Sequence, residues 1–231
     1  MEFDGSQKII GRGAQADVIE YYEYAYKLYK NTYPSEWIAF EKDQQKAVNM
    51  AGLSPIRYYD TDDDHMIKMD LIRGVMLETK MKEGFEGGFD TIAEAFRRIH
   101  NADISNINMP RMIDTLRFVM TEEECTKAAP VIEHLSEKYK SCICHLDMHF
   151  QNIMIPDDGS DFIIIDWMNT RIAPPVFDFA RTYVVIEEFV KELIPLYRSA
   201  IAEDVNRLGI TEQDMDDAIG VIRIIRNHEK E

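Results

Sequence analysis

The sequence predicts an α+β chain of two lobes, a small antiparallel-sheet lobe with one helix followed by a larger, mainly helical lobe. Three observations carry that prediction. The first 70 residues are short aromatic and β-branched runs around a single amphipathic stretch. After Arg73-Gly74 the apolar spacing becomes helical. The length, 231 residues, lies between one domain and two at about 150 residues each. The expected division is residues 1–70 and 71–231, joined near residues 69–74.

Each element follows from local chemistry. Lys8-Ile9-Ile10 opens a strand that runs into Gly11-Arg12-Gly13. Val18-Ile19-Glu20-Tyr21 and Tyr24-Ala25-Tyr26-Lys27-Leu28-Tyr29 make a hairpin. Trp37, Phe40, Gln44, Val48 and Ala51 fall near a helical period, with Pro34 ahead and Gly52 as the stop. Residues 56–60 and 66–71 are two more strands, separated by a solvated Asp62-Asp63-Asp64 turn. In the second half Asp90 is expected to cap a helix whose Ile92, Ala95, Phe96 and Ile99 share one face. Thr121-Glu122-Glu123-Glu124 is a capping box for a helix running to about Lys138. Short strands over 143–146, 153–155 and 162–165 follow, with Pro156-Asp157-Asp158-Gly159-Ser160 as the turn between the last two. Helices from about Asp178, Val190 and Glu212 end the chain, the last capped by Thr211 with Asp214.

Composition narrows the function classes. With 45% hydrophobic residues the chain has material for a core, which excludes wholesale disorder. A formal net charge of −16 argues against nucleic acid or an anionic membrane as partner. No apolar run approaches the roughly 18 residues of a membrane span. The amino terminus has neither the basic nor the apolar region of a signal peptide, and three cysteines form no regular framework. A cytoplasmic protein with reduced thiols is expected.

The strongest chemical signal is Cys142-Ile143-Cys144-His145-Leu146-Asp147-Met148-His149-Phe150-Gln151-Asn152-Ile153. An apolar strand delivers His-x-Asp into a loop, and an Asn five residues after the Asp opens another strand. Phosphoryl transfer needs such a pair, a carboxylate to orient and accept a hydroxyl proton and an amide oxygen to hold Mg²⁺. The strand Phe162-Ile163-Ile164-Ile165 ends at Asp166, where a carboxylate can bind the metal that bridges the phosphates of ATP. Upstream, Gly11-x-Gly13-x-x-Ala16-x-Val18 lies between two strands, where small residues let backbone N–H groups approach phosphates. Lys27 follows at the spacing of a phosphate-pairing lysine, and Glu41 is its candidate ion-pair partner. Lys30 competes with Lys27, and Glu36 with Glu41; the Ala25-x-Lys27 pattern favours Lys27.

Over residues 10–188 the chain resembles the aminoglycoside phosphotransferase and choline kinase family, small-molecule kinases with a protein-kinase-like fold. The likeness rests on His145-Leu146-Asp147…Asn152, on Ile165-Asp166-Trp167 and on Asp178-Phe179-Ala180-Arg181. It implies that Asp147 is the catalytic base, that Asn152 and Asp166 are Mg²⁺ ligands and that Lys27 pairs with the phosphates of ATP. It also implies nucleotide contacts from Gly11, Gly13 and Val18, and backbone contacts to the base from the segment containing Met69 and Leu71. GTP in place of ATP stays open. The acceptor is expected to be a small-molecule hydroxyl, carried by a cationic aminoglycoside, an amino alcohol or a sugar. The sequence departs from the family at Leu146 and Ala16, where glycine is common, and in its short length.

Other readings accompany these. A zinc site on His145, Asp147 and His149 lacks further histidines, since His65, His100, His134 and His228 lie outside any ligand-like cluster. His145 is expected to hydrogen-bond the loop backbone, His149 to be exposed, and Cys142 and Cys144 to pack. Asp178 is expected to brace the loop. Glu187, Glu188, Glu203 and Asp204 are candidates to line a cleft for a cationic acceptor. A protein kinase and a non-catalytic nucleotide-binding regulator are the alternatives; the first lacks an evident activation segment.

Overall fold

The computed structural model describes residues 3–229. Five strands form the first sheet: β1 (Lys8–Arg12), β2 (Ala16–Tyr21), β3 (Tyr24–Tyr29), β4 (Tyr58–Tyr59) and β5 (Met66–Asp70). Their spatial order is β1-β2-β3-β5-β4, and every pairing is antiparallel. The register sets Val18 opposite Lys27, and Lys27 opposite Ile67. Two small apolar clusters hold this sheet, Ala16, Tyr29, Ile38 and Ile67 on one side and Ile19, Tyr21, Tyr26 and Met66 on the other.

Helix α1 (Ser35–Met50) crosses between β3 and β4 in the chain. Its buried face shares Gln44 and Val48 with the expected stripe but is otherwise shifted. Trp37 and Phe40 stay half-buried, while Glu41, Gln44 and Gln45 lie inside with Ile38 and Val48. Each buried polar group has a partner: Gln45 donates to Ser54 and to the Ile56 carbonyl, and Gln44 donates to the Thr170 carbonyl in the second half of the chain. Burial of an amide is tolerable when its hydrogen bonds are met, and here it aligns the helix on the site rather than on the sheet alone.

The remainder follows in the order β6 (Gly74–Met76), α2 (Leu77–Lys82), α3 (Gly88–His100), α4 (Glu122–Lys138), β7 (Cys142–Cys144), β8 (Ile153–Pro156), β9 (Ile163–Ile164), β10 (Arg171–Ala173), α5 (Val176–Val190), α6 (Ile194–Leu208) and α7 (Glu212–His228). Strands β6, β8 and β9 form one antiparallel sheet and β10 pairs with β7. One large core unites the helices, with Phe96, Trp167, Phe177, Phe179 and Tyr197 almost wholly excluded from water. Both expected capping boxes form, Thr121 with Glu124 and Thr211 with Asp214. Asp90 is not a cap: α3 begins at Gly88, and Asp90 sits in its first turn, where its charge complements the helix dipole. Elements β6, α2 and β10 and the 3₁₀ turns Met112–Phe118 and Trp167–Asn169 are too short to show a period in the sequence. Among the described residues no helix is long and apolar enough to cross a membrane.

Gly74 is where the first sheet gives way to the second. A Cβ there would run into the Ile155 carbonyl oxygen and lie 2.9 Å from Pro156 Cα, both backbone atoms of β8. Only glycine lets β6 pair so closely. Gly74→Ala is expected to lower stability by about 1–3 kcal/mol, the usual cost of forced overpacking, read as a lower urea midpoint in chemical denaturation.

Candidate active site

The wholly buried strand β7 delivers the chain into the loop carrying His145, Leu146 and Asp147. The exit turn holds Leu146 in the left-handed region, at φ +56°, a conformation that costs a residue with a Cβ roughly 1–2 kcal/mol. Asp178, in the first turn of α5, offsets it. Its Oδ1 accepts the Leu146 N–H at 2.7 Å, and its Oδ2 accepts the His145 N–H at 3.1 Å and the His100 ring N–H at 2.9 Å. Asp178 is completely buried, so these charge-assisted bonds stand in for its hydration. The His145 ring donates to the Ile165 carbonyl at 3.0 Å and packs on Trp167. Burial holds its pKa below the usual histidine value, so it is a neutral strut between this loop and Asp166.

Asp147 lies beyond that brace. Arg181, one turn along α5 from Asp178, donates to its Oδ1 at 2.9 Å, and the His149 ring nitrogen stands 3.7 Å from its Oδ2. Burial pushes the Asp147 carboxyl up, but His149 and Arg181 together outweigh it and hold the group well below the usual carboxylate range. Arg181 is shared, donating also to Glu229 at 2.7 Å. Asn152 commits its amide nitrogen to the Asp147 carbonyl at 2.8 Å, so the ligand atom it can offer is its carbonyl oxygen. The Asn152 backbone oxygen accepts from Ile165 N–H at 3.0 Å, which sets Asn152 beside the residue before Asp166. Asp166, at φ +62°, is about half exposed.

From the other side, Lys27 Nζ donates to Glu41 Oε1 at 2.7 Å and stands 4.0 Å from Asp166 Oδ1. Burial pushes the Lys27 amine down, but Glu41 and Asp166 outweigh it and its pKa rises, keeping it charged. Glu41, 2% exposed, also accepts from Tyr29 at 2.5 Å and Tyr58 at 3.2 Å. The competing residues are placed elsewhere: Lys30 donates to the Ala14 carbonyl at 2.6 Å, and Glu36 is exposed.

Two cavities meet this constellation. The first, about 510 Å³, lies between the first sheet and β8, with Gly11, Gly13, Val18, Lys27, Met69, Leu71 and Asp166 on its walls. Glu41 is not on that wall; it holds Lys27 from behind. The second, about 630 Å³, has Asp147 on its wall and runs out between α2 and α5.

A sequence profile of the phosphotransferase enzyme family matches residues 22–207, well over half of the chain. The chain belongs to the phosphotransferase enzyme family. No curated protein matches it in sequence. Among solved structures it is similar to an aminoglycoside phosphotransferase of Streptomyces rimosus, at 17% identity and a TM-score of 0.70 over 96% of this chain and 93% of that one. The choline kinase of Streptococcus pneumoniae gives 15% and 0.60, covering 98% and 87%, and the ethanolamine kinase of Plasmodium vivax 12% and 0.67, covering 96% and 75%. The protein-kinase-like fold is shared with these structures, and by its family the chain is a phosphotransferase.

Several expectations for this phosphotransferase are corrected by the structure. The acidic residues of its last helices do not form an open cationic cleft: Glu187 pairs with Arg223 at 2.7 Å, Glu188 with Arg226 at 3.0 Å, and buried Asp204 with Arg97 at 2.9 Å and Arg207 at 2.8 Å, while exposed Glu203 is on neither cavity wall. His149 is half-buried and faces Asp147 rather than standing free. His100 is not remote from the cysteines. Its ring nitrogen and the Cys142 and Cys144 sulfurs lie within 4.8 Å of one another. Both thiols donate to the Ala173 carbonyl and His100 to Asp178, so the cluster packs under the loop with its hydrogen bonds met inside the chain. The sequence assigned no role to Arg181, although it stands in the quoted Asp-x-Ala-Arg run; a cation three positions after Asp178, on the same helical face, was the available signal. Glu229 and the Arg73–Glu20 pair, 2.7 Å apart beside the first cavity, had none.

Asp178→Ala would orphan two buried backbone N–H groups and the His100 ring N–H, and leave Leu146 in its left-handed turn unsupported. A loss of roughly 3–5 kcal/mol is expected, since each buried unmet donor costs about 1–3 kcal/mol. Asp178→Asn, which can still accept one bond, should lie between the variant and the parent in urea denaturation.

Proposed function

We propose that the protein transfers the γ-phosphoryl group of ATP to a hydroxyl of a small molecule, with Mg²⁺. The observation that carries this reading is the convergence at Asp166. Lys27, held by Glu41, comes within 4.0 Å of it from the first cavity, and Asn152, one backbone hydrogen bond away, is bonded to Asp147 on the second. Similar proteins support the choice of nucleotide: the S. rimosus enzyme has been solved with ADP and streptomycin and the S. pneumoniae choline kinase with AMP.

The donor set fits a hard divalent cation. Asn152 Oδ1 and the Asp166 carboxylate are oxygen ligands of the kind Mg²⁺ takes beside phosphate oxygens, and Asp166 is exposed enough to reach them. When bound there, Mg²⁺ withdraws charge from the β- and γ-phosphates. The chain's own residues do the rest. Lys27 and the β1–β2 hairpin, with Gly11 and Val18 on its strands and Gly13 in its turn, position the triphosphate, with the base against Met69 and Leu71. Arg181 fixes one oxygen of Asp147, leaving Oδ2 to accept a hydrogen bond from the acceptor hydroxyl and aim it in line with the γ-phosphorus. The hydroxyl oxygen forms the new P–O bond, the bond between the γ-phosphorus and the β–γ bridging oxygen breaks, ADP leaves, and the hydroxyl proton passes to Asp147. Because Asp147 titrates so low, it serves chiefly as an orienting acceptor that takes the proton late.

Asp147→Ala is expected to lower kcat by at least ~10²-fold in coupled ADP-release assays, with ATP-induced thermal stabilisation in Mg²⁺ retained; unchanged turnover refutes the assignment. The depressed Asp147 pKa gives a pH test. Its carboxylate is lost only as pH falls through the lowered value, so the parent kcat/KM profile should show no acid limb in the ordinary carboxylate range. Removing a stabilising neighbour, as in Arg181→Met or His149→Gln, raises that pKa and should bring an acid limb into view.

A further inference from the structure

We infer that the acceptor is an amphiphilic alcohol, a hydroxyl on an alkyl or aryl body, rather than a polycationic sugar. The inference rests on the phosphotransferase reading and concerns the second cavity, whose wall carries Asp147. Its other walls are chiefly apolar: Met81 from α2, Phe150 from the loop after Asp147, Val185, Ile186 and Phe189 from α5, and Leu193. Phe189 is 66% exposed, a large ring held in water at the cavity wall, although the same helix buries three other aromatic or aliphatic side chains of similar size completely or nearly so, Phe177, Phe179 and Ile186. The ring, with the Arg226 guanidinium 5.9 Å from its centre, continues the apolar wall of the cavity, which an alkyl or aryl body would cover.

The charges on the wall point the same way. Two carboxylates, Glu78 and Asp147, stand against two cations, Lys82 and Arg226. None of the four is spare. Glu78 accepts from Lys82 at 2.8 Å and from Gln151 at 3.1 Å, Asp147 from Arg181 at 2.9 Å, and Arg226 donates to Glu188 at 3.0 Å and Glu229 at 2.9 Å. A polyamine entering here would find no unpaired carboxylate on this wall to bind, since Glu78 and Asp147 already accept from Lys82 and Arg181. The cavity, about 630 Å³, is of the size that holds a whole small ligand. Of the other polar groups on this wall, Thr182 donates its hydroxyl to the Met148 carbonyl and Gln151 donates to Glu78, which leaves Asp147, with His149 beside it, to receive a hydroxyl head.

The test is a series of 1,2-alkanediols from propane to octane, compared with streptomycin and choline as cationic acceptors, in an assay that reads both ADP release and phosphorylated product. On this proposal kcat/KM rises about three- to fourfold per added methylene, the gain from burying one such group, and the longer diols exceed streptomycin and choline. In Phe189→Asp, whose exposed position spares the core, the slope against chain length should flatten. A slope near zero in the parent, or faster turnover of streptomycin or choline than of every diol, overturns the inference while leaving the phosphotransferase reading in place. If no hydroxyl compound in either arm is phosphorylated while Mg²⁺-dependent ATP binding persists, the phosphotransferase reading itself falls, and the inference with it.

Discussion

A single buried carboxylate holds the second lobe's chemistry in register. Asp178 accepts from two consecutive backbone N–H groups and from His100, and those bonds let the chain leave β7 through a left-handed leucine. Everything downstream inherits its position: Asp147 is the next residue, Asn152 is tied to the Asp147 carbonyl, and Ile165 is tied to Asn152. The same helix that supplies Asp178 supplies Arg181, so brace and charge partner move together. A glycine at position 146 would remove the backbone strain but also a nearly buried leucine side chain; the carboxylate makes the leucine tolerable and keeps its packing.

Charge is distributed with the same economy. The net −16 of the chain does not gather at the site. Glu187, Glu188 and Asp204 are taken up by arginines of α7 or by Arg97 and Arg207, and at the second cavity Glu78 is paired with Lys82 and Asp147 with Arg181. Such pairs contribute modestly to stability when exposed. Their larger effect here is to leave a low-charge chamber beside a strongly ionised Asp147.

How much of this could be read in the sequence follows from distance along the chain. Asp147, Asn152 and Asp166 are legible because strand, loop and strand are contiguous and their spacing encodes the geometry. Lys27 and Glu41 are legible as a strand and a helix in succession, and the hairpin register then sets Lys27 opposite Val18. The two-lobed fold was legible for the same reason, since strands crowd the first third and helices the rest. What could not be read depends on partners brought together by folding. His100 meets Cys142 across the α3–β7 packing, and Glu187 and Glu188 find Arg223 and Arg226 where α5 and α7 lie together. The polar inner face of α1 defeats the usual apolar-stripe logic, because Glu41 and Gln45, outside the stripe, are buried by the hydrogen bonds they make rather than by hydrophobicity.

That polar face bears on how the lobes relate. Gln44 reaches across to the Thr170 carbonyl, just past Asp166, while Glu41, one turn earlier, grips Lys27. Swinging α1 away would strand a buried amide and a buried carbonyl together with the lysine's counter-charge. The helix is thus latched at two points one turn apart, to Lys27 on the first sheet and to the segment that follows Asp166.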